Sequence, residues 1–175
     1  TIVTSQTNLF MALCPAPIIG ITGTKGKGTT ATLASLILQA GYSKGSVYLA
    51  GNIGKDPFSF LDELETDDLV ILELSSYQLE DAAYSPHVAV VLHVTLDHLD
   101  HHKDAAAYRL AKLNILAHQK KSDLAIIAGD YPEMELFQKH AKGEVWHYYR
   151  HTPGRQAAWV DTQEGGEVVF FQTGE

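Results

Sequence analysis

Residues 18 to 33, IIGITGTKGKGTTATL, constrain the fold more than any other stretch. An apolar run enters a Gly-rich turn and passes straight into a helical pattern. Strand, loop and helix in that order make a phosphate cradle, because glycines let backbone N–H groups approach an anion and the helix start favours negative charge. Gly23, Thr24, Lys25, Gly26, Lys27, Gly28, Thr29 and Thr30 are the candidate nucleotide-binding residues, with Lys27 reaching the terminal phosphates. The spelling is unusual. A P-loop ordinarily carries Ser or Thr directly after its Lys, where the hydroxyl meets Mg²⁺. Here Gly28 follows Lys27, and the hydroxyls come at Thr29 and Thr30. Lys25 adds a second cation inside the loop. The bland alternative is a Gly-rich turn with a solvated lysine pair.

The rest of the chain repeats the alternation of apolar strand and amphipathic helix. SVYLA, DDLVILEL, HVAVVLHVT, DLAIIAG and EVWHYY read as strands. DPFSFLDEL, DAAAYRLAKLNILAHQ and YPEMELFQKHA read as helices, with Asp56 and Asp104 as N-caps. The pattern predicts an α/β fold: a P-loop-containing, mostly parallel sheet flanked by helices. After residue 150, QAAWVDTQEGGEVVFFQTG reads as a hairpin, so a small antiparallel C-terminal addition is expected. The opening residues read as a short irregular tail.

Composition sets limits on function. At 175 residues and 45% hydrophobic, the chain suits one domain with a sizeable core. A formal charge of −8 without a long basic tract argues against nucleic-acid binding. No apolar run approaches the ~20 residues of a membrane span. A lone cysteine, Cys14, excludes an intrachain disulfide and suits a reducing cytoplasm.

Three further stretches carry chemistry. In LVILELSSYQLE, Glu73 closes an apolar strand, at the edge where open α/β sheets bind ligands. It reads as a metal-binding carboxylate or as a helix cap. Ser75, Ser76 and Gln78 follow, as neutral substrate contacts or as capping residues. In HVTLDHLDHHKDAAAYRLAKLNI the strand is expected to end near Thr95, so that Asp97 and His98 emerge at the same edge. If the next residues are helical, His98, His101 and His102 share a face and could hold a metal; a solvated loop is the other reading. On pattern alone Lys112 is a surface cation. In GNIG, Asn52 sits between Gly51 and Gly54, which allow a close approach or simply a tight turn.

GITGTKGKGTTATL, GNIG, LVILELSSYQLE, DHLDHH and AYRLAKLNI, in this order, resemble the Mur ligases, and among them the D-glutamate-adding members. The likeness covers roughly residues 5 to 130. It implies an ATP-dependent amide ligase with ATP and Mg²⁺ as cofactors. The carboxylate of UDP-MurNAc-L-alanine would become an acyl phosphate, and the amine of D-glutamate would attack it. It also implies roles. Lys27 becomes the γ-phosphate lysine, Glu73 the ligand of the nucleotide Mg²⁺, and His98 a ligand of a second metal. Lys112 becomes a lysine carbamylated by CO₂ into an anionic metal ligand. Asn52, Ser75 and Gln78 would face the muramoyl substrate. Residues 1–175 correspond to the central ATP-binding domain, with 1–14 as a linker from a preceding domain and a further domain expected after it. The 175 residues alone are therefore expected not to complete the ligation.

Three departures stand out. Gly28 replaces a Ser, leaving Thr29 as the candidate metal hydroxyl. Lys25 replaces a common Asn. Ala128 replaces an Asn that the resemblance would set against adenine. GTKGKGT looks instead like folylpolyglutamate synthase, a relative with the same core, which is the competing ligase reading. A third reading is a non-enzymatic P-loop module that binds nucleotide as a switch.

Overall fold

The computed structural model describes residues 4–95, 104–150, 157–163 and 166–172, of which 157, 161–163 and 166–172 are described by backbone alone. Helix α1 (Gln6–Leu13) precedes strand β1 (Ile18–Thr22) and helix α2 (Lys27–Gly41). Strand β2 (Val47–Gly51) leads through two 3-10 turns, Pro57–Ser59 and Leu61–Glu63, to β3 (Leu69–Glu73) and α3 (Ser76–Glu80). Then come β4 (Val88–Val91), α4 (Ala105–Ala117), β5 (Leu124–Ala128), α5 (Met134–His140) and β6 (Glu144–Tyr149). Strands β7 (Ala157–Gln163) and β8 (Gly166–Gln172) close the series.

The strands form one sheet in the order β2-β3-β1-β4-β5-β6-β7-β8. Every pairing is parallel except β7 with β8. The C-terminal hairpin thus extends the main sheet through β7 rather than standing apart. From β1 the chain steps out to β2, returns to β3, then crosses β1 to β4. That crossing makes the carboxyl ends of β1 and β4 the topological switch point, the edge where open α/β sheets bind ligands.

The apolar runs of β1, β3 and β4 are explained by cover on both faces. Ile21 and Ile71 pack with Ala31 of α2, whereas Ile18, Val70, Leu72, Ala89 and Val91 belong to the larger core. That core takes Phe10 from α1, Leu79 from α3, Tyr108, Leu113 and Leu116 from α4, and Phe137 from α5. The period-2 alternation of a strand divides one continuous apolar run between two cores.

Three local expectations change. The irregular tail is helix α1, capped by Ser5, whose Oγ accepts from Asn8 N. Phe10 anchors it, 1% exposed and edge-on to Phe58 and Phe60. Asn8 ties it down: Nδ2 donates to Asp81 O at 2.8 Å, and Oδ1 accepts from Ala83 N at 2.8 Å. The helix expected at DPFSFLDEL is two 3-10 turns, although Asp56 caps the first by accepting from Phe58 N. Strand β4 ends at Val91 rather than near Thr95. Beyond it the chain still runs beside the Gly-rich loop that follows β1, with Leu92 N donating to Thr22 O and Thr24 N to His93 O.

Strand β2 is one edge of the sheet. Two of its carbonyls are occupied: Val47 O by Gln39 Nε2 at 3.2 Å and Leu49 O by Lys55 N at 3.0 Å. Among the described residues, no helix is long and apolar enough to cross a membrane.

Candidate functional site

Parallel register places Thr22, Glu73 and Val91 near one level at the carboxyl edge, since Ile21 pairs with Glu73 and Thr22 with Val91. The loop leaving β1 is packed from beneath. A Cβ on Gly23 would lie 2.6 Å from Leu92 Cβ, so only glycine fits there. Gly26 caps α2 in the left-handed region, at φ 81°. Lys27 is the first residue of α2, and its Nζ donates to Thr24 O at 3.1 Å.

Glu73 faces this loop. It is 1% exposed, and its Oε1 stands 3.9 Å from Lys27 Nζ. Oε1 has no hydrogen-bond partner among the described residues. Leaving a buried carboxylate oxygen unsatisfied costs free energy. An oxygen donor of that kind, beside a phosphate cradle, fits a hard divalent cation such as Mg²⁺. Thr29 is exposed on the first turn of α2, and Gly28 offers no side chain.

Lys112 is the largest departure from pattern. Its place in mid-helix reads as a surface cation, yet it is 1% exposed. Nζ donates to Gly23 O at 2.9 Å and to Thr22 Oγ1 at 3.3 Å, and lies 4.8 Å from the Tyr108 ring centroid. Two oxygen acceptors and an aromatic face are the surroundings of an ammonium. A carbamate at this position would have to turn away from the Gly23 carbonyl.

Tyr108 and Thr24 complete the floor of the loop. The Thr24 hydroxyl donates to Thr95 O at 2.9 Å and accepts from Thr95 N at 2.8 Å. Its one proton is therefore committed, and the Tyr108 hydroxyl, 3.2 Å away, is the donor to it. Thr22 Oγ1 in turn donates to Leu74 O at 2.8 Å. This buried network ties the loop to the ends of β3 and β4 and to α4. Sequence reading passed over Tyr108, although its i,i+4 spacing from Lys112 puts both on one helix face.

The GNIG turn hangs on β3. Asn52 N donates to Glu73 O at 2.9 Å. Gly51 has φ 103°, and a Cβ there would meet Glu73 O at 2.2 Å. The Asn52 side chain itself is exposed. Ser75 and Gln78 form a capping box at the start of α3: Gln78 N donates to Ser75 Oγ, and Ser75 N and Oγ both donate to Gln78 Oε1. For this pair the capping alternative describes the geometry seen. Gln78 also lines a small pocket of about 30 Å³ with Gly51, Gln6 and Phe10, large enough for water. Lys25 is exposed at the loop tip. Asp97, His98, His101 and His102 lie outside the described residues, and so does the metal role expected of His98.

Farther along the same edge, His93 stacks on Tyr131 with ring centroids 3.4 Å apart. Burial pushes the Tyr148 phenol well above its ordinary range, with Tyr131 and Asp130 adding to the effect.

The described arrangement is a Gly-rich loop between strand and helix with a buried acidic residue opposite its lysine, at the switch point of a parallel sheet. The family described as the Mur ligase middle domain matches residues 21–175, and the chain belongs to that family. A UDP-N-acetylmuramoylalanine--D-glutamate ligase of Clostridium acetobutylicum is 38% identical over 169 residues, covering 96% of this chain and 36% of the relative. The enzyme of the same name from Clostridium kluyveri is 42% identical over 144 residues, covering 82% and 31%. The chain thus spans about a third of the length of these relatives. Among solved structures, MurF ligase from Thermotoga maritima in complex with ADP superposes with TM-score 0.69 at 20% identity, over 93% of this chain and 39% of that one. E. coli FolC in complex with DHPP and ADP gives 0.57 at 19% identity, over 94% and 49%. These two likenesses establish a common fold.

Proposed function

We propose that this chain is the ATP-binding middle domain of a cytoplasmic ligase that joins D-glutamate to UDP-MurNAc-L-alanine in the making of peptidoglycan precursors. The names of the relatives support the substrates, and the ADP-bound neighbours support the nucleotide. The observation that carries the reading is the buried Glu73 Oε1, which accepts no hydrogen bond among the described residues and stands 3.9 Å from Lys27 Nζ at the mouth of the phosphate loop. The folate-directed alternative rested on the spelling of the loop, and the relatives' names favour the amino-sugar substrate.

The chemistry meets one main obstacle, the gathering of negative charge where ATP and a carboxylate approach. Loop N–H groups and Lys27 hold the β- and γ-phosphates and stabilise charge as the phosphoryl group transfers. Glu73, with Thr29 or water, would hold Mg²⁺, which when bound shields the phosphate oxygens and polarises the γ-phosphoryl group. The substrate carboxylate becomes an acyl phosphate, a far better acylating group, and the amine of D-glutamate displaces phosphate from it. Asn52, exposed beside the Glu73 backbone, is offered to the muramoyl substrate. Ser75 and Gln78 set the start of α3 behind it. A second metal at His98, with a carbamylated Lys112, completes the proposal that the family resemblance implies.

The test is phosphate release by the protein that contains this domain. We expect release to require both UDP-MurNAc-L-alanine and D-glutamate, and to fall by at least about 10²-fold in Glu73→Gln. Release driven by a folate and L-glutamate instead would overturn the assignment. The 175 residues alone are expected to bind nucleotide without completing ligation.

A further inference from the structure

The glycine at position 28 has no steric reason to be there. It is the second residue of α2, in ordinary helical backbone. A Cβ built on it would meet only the Ile53 methyls, at 3.7 and 3.8 Å, which is normal contact. It is not among the glycines with positive φ. Glycine within a helix also costs about 1 kcal/mol relative to alanine. A side chain is therefore missing where one would fit, at the position from which a P-loop hydroxyl reaches the metal. Thr29 lies one residue on, about 100° around the helix, and is exposed. It does not point where a residue at position 28 would.

The charges around the loop show what remains. Lys27 is shared between Thr24 O and the Glu73 carboxylate. With no metal bound, Glu73 offsets Lys27, and the pair presents the phosphates with little net positive charge. Lys112 is buried beneath the loop, its Nζ donating to Gly23 O and Thr22 Oγ1, so Lys25 is the exposed cation left over. It is exposed in the turn itself, two residues before Lys27, and no acidic group is paired with it among the described residues.

We propose that Lys25 supplies to the terminal phosphates part of the charge compensation that a hydroxyl at position 28 would otherwise bring through bound Mg²⁺. Nucleotide binding by this chain then tolerates loss of the metal. The loop has exchanged a metal anchor for a second ammonium. This rests on the proposed function only in taking the loop to hold a nucleoside triphosphate.

The test is calorimetric titration of the chain with a non-hydrolysable ATP analogue and, separately, with inorganic tripolyphosphate, each in Mg²⁺ and in EDTA. Wild type should weaken by no more than about threefold in EDTA, well under the 1.4 kcal/mol of a tenfold change. Lys25→Asn should weaken about tenfold further in EDTA and less in Mg²⁺. Gly28→Ser should gain affinity in Mg²⁺ only, which raises the Mg²⁺-to-EDTA ratio above about ten. Lys121→Asn, an exposed lysine in the turn between α4 and β5, controls for loss of a general positive charge and should match wild type. Wild-type binding that needs Mg²⁺, or Lys25→Asn that binds like wild type in EDTA, overturns the proposal while the nucleotide reading stands. Binding of neither probe in either buffer overturns the nucleotide reading and the proposal together.

Discussion

The backbone N–H of Asn52 donates to the carbonyl oxygen of Glu73 at 2.9 Å. One residue thus serves two parts of the site. The Glu73 side chain faces Lys27 at the Gly-rich loop, and its main chain holds the turn that carries Asn52. The Glu73 carboxylate and the turn that carries Asn52 are thus joined within one peptide unit of β3.

Gly51→Ala tests that link. The new methyl would sit 2.2 Å from Glu73 O, at φ 103°. A loss of about 2–4 kcal/mol in urea denaturation is expected, with weaker nucleotide binding. Wild-type stability in this variant would mean that the turn is not held as described.

Glu73→Gln separates stability from function. A buried carboxylate with an unsatisfied oxygen is replaced by a neutral amide of similar shape. The melting temperature is expected to stay near the wild-type value, since relief of a poorly satisfied buried charge is set against loss of the ion pair with Lys27. The gain in affinity that Mg²⁺ brings should vanish in calorimetry. A variant that keeps this gain would place the metal elsewhere.

Lys112→Met removes the ammonium from Gly23 O and Thr22 Oγ1. Leaving a buried carbonyl unpaired costs about 1–3 kcal/mol. A drop of that size in stability, together with weaker nucleotide binding, is expected. Carbon-13 NMR in labelled bicarbonate addresses the modified form. A carbamate signal should need metal and nucleotide together, because the unmodified lysine is held by two oxygen acceptors. A signal in EDTA would contradict this.

The pH dependence of stability has two limbs. Burial lowers the pKa of His147 from its ordinary 6.5, so the unfolded chain takes up the proton first as pH falls. Stability from this group is present above pH 6.5 and declines below it. Burial raises the phenols of Tyr148 and Tyr149 above their ordinary 10, so their contribution is full below pH 10 and is lost as pH climbs. His147→Phe should flatten the acid limb of a melting curve against pH and leave the alkaline limb alone. An unchanged acid limb would assign it to other groups.

The parallel sheet and the Gly-rich passage from β1 to α2 were legible because both rest on local spacing, apolar runs of strand length and glycines between strand and helix. The place of Glu73 at the end of β3 was legible because it closes such a run. The burial of Lys112 was not legible from pattern. A lysine in mid-helix is ordinarily solvated, and only the crossing of α4 beneath the loop makes its surroundings polar. Helix α1 was missed because its three buried residues, Asn8, Phe10 and Met11, make no repeating apolar face. Phe10 finds its partners, Phe58 and Phe60, only in the folded chain. Ser75 and Gln78 carried two meanings in sequence, and their capping box gives geometric weight to one of them.

The occupied carbonyls of β2 have a consequence for the molecule in a crowded solution. An open edge strand is a template for another chain, and sheets that leave one free are prone to stacking and aggregation. Gln39 and Lys55 fill two of the acceptors that a newcomer would need at Val47 and Leu49. A neighbouring molecule approaching that side of the sheet meets a helix side chain and a doubled-back turn. The edge beside the Asn52 turn is in this way guarded against misassembly, in part by the closure of that turn through Lys55 N.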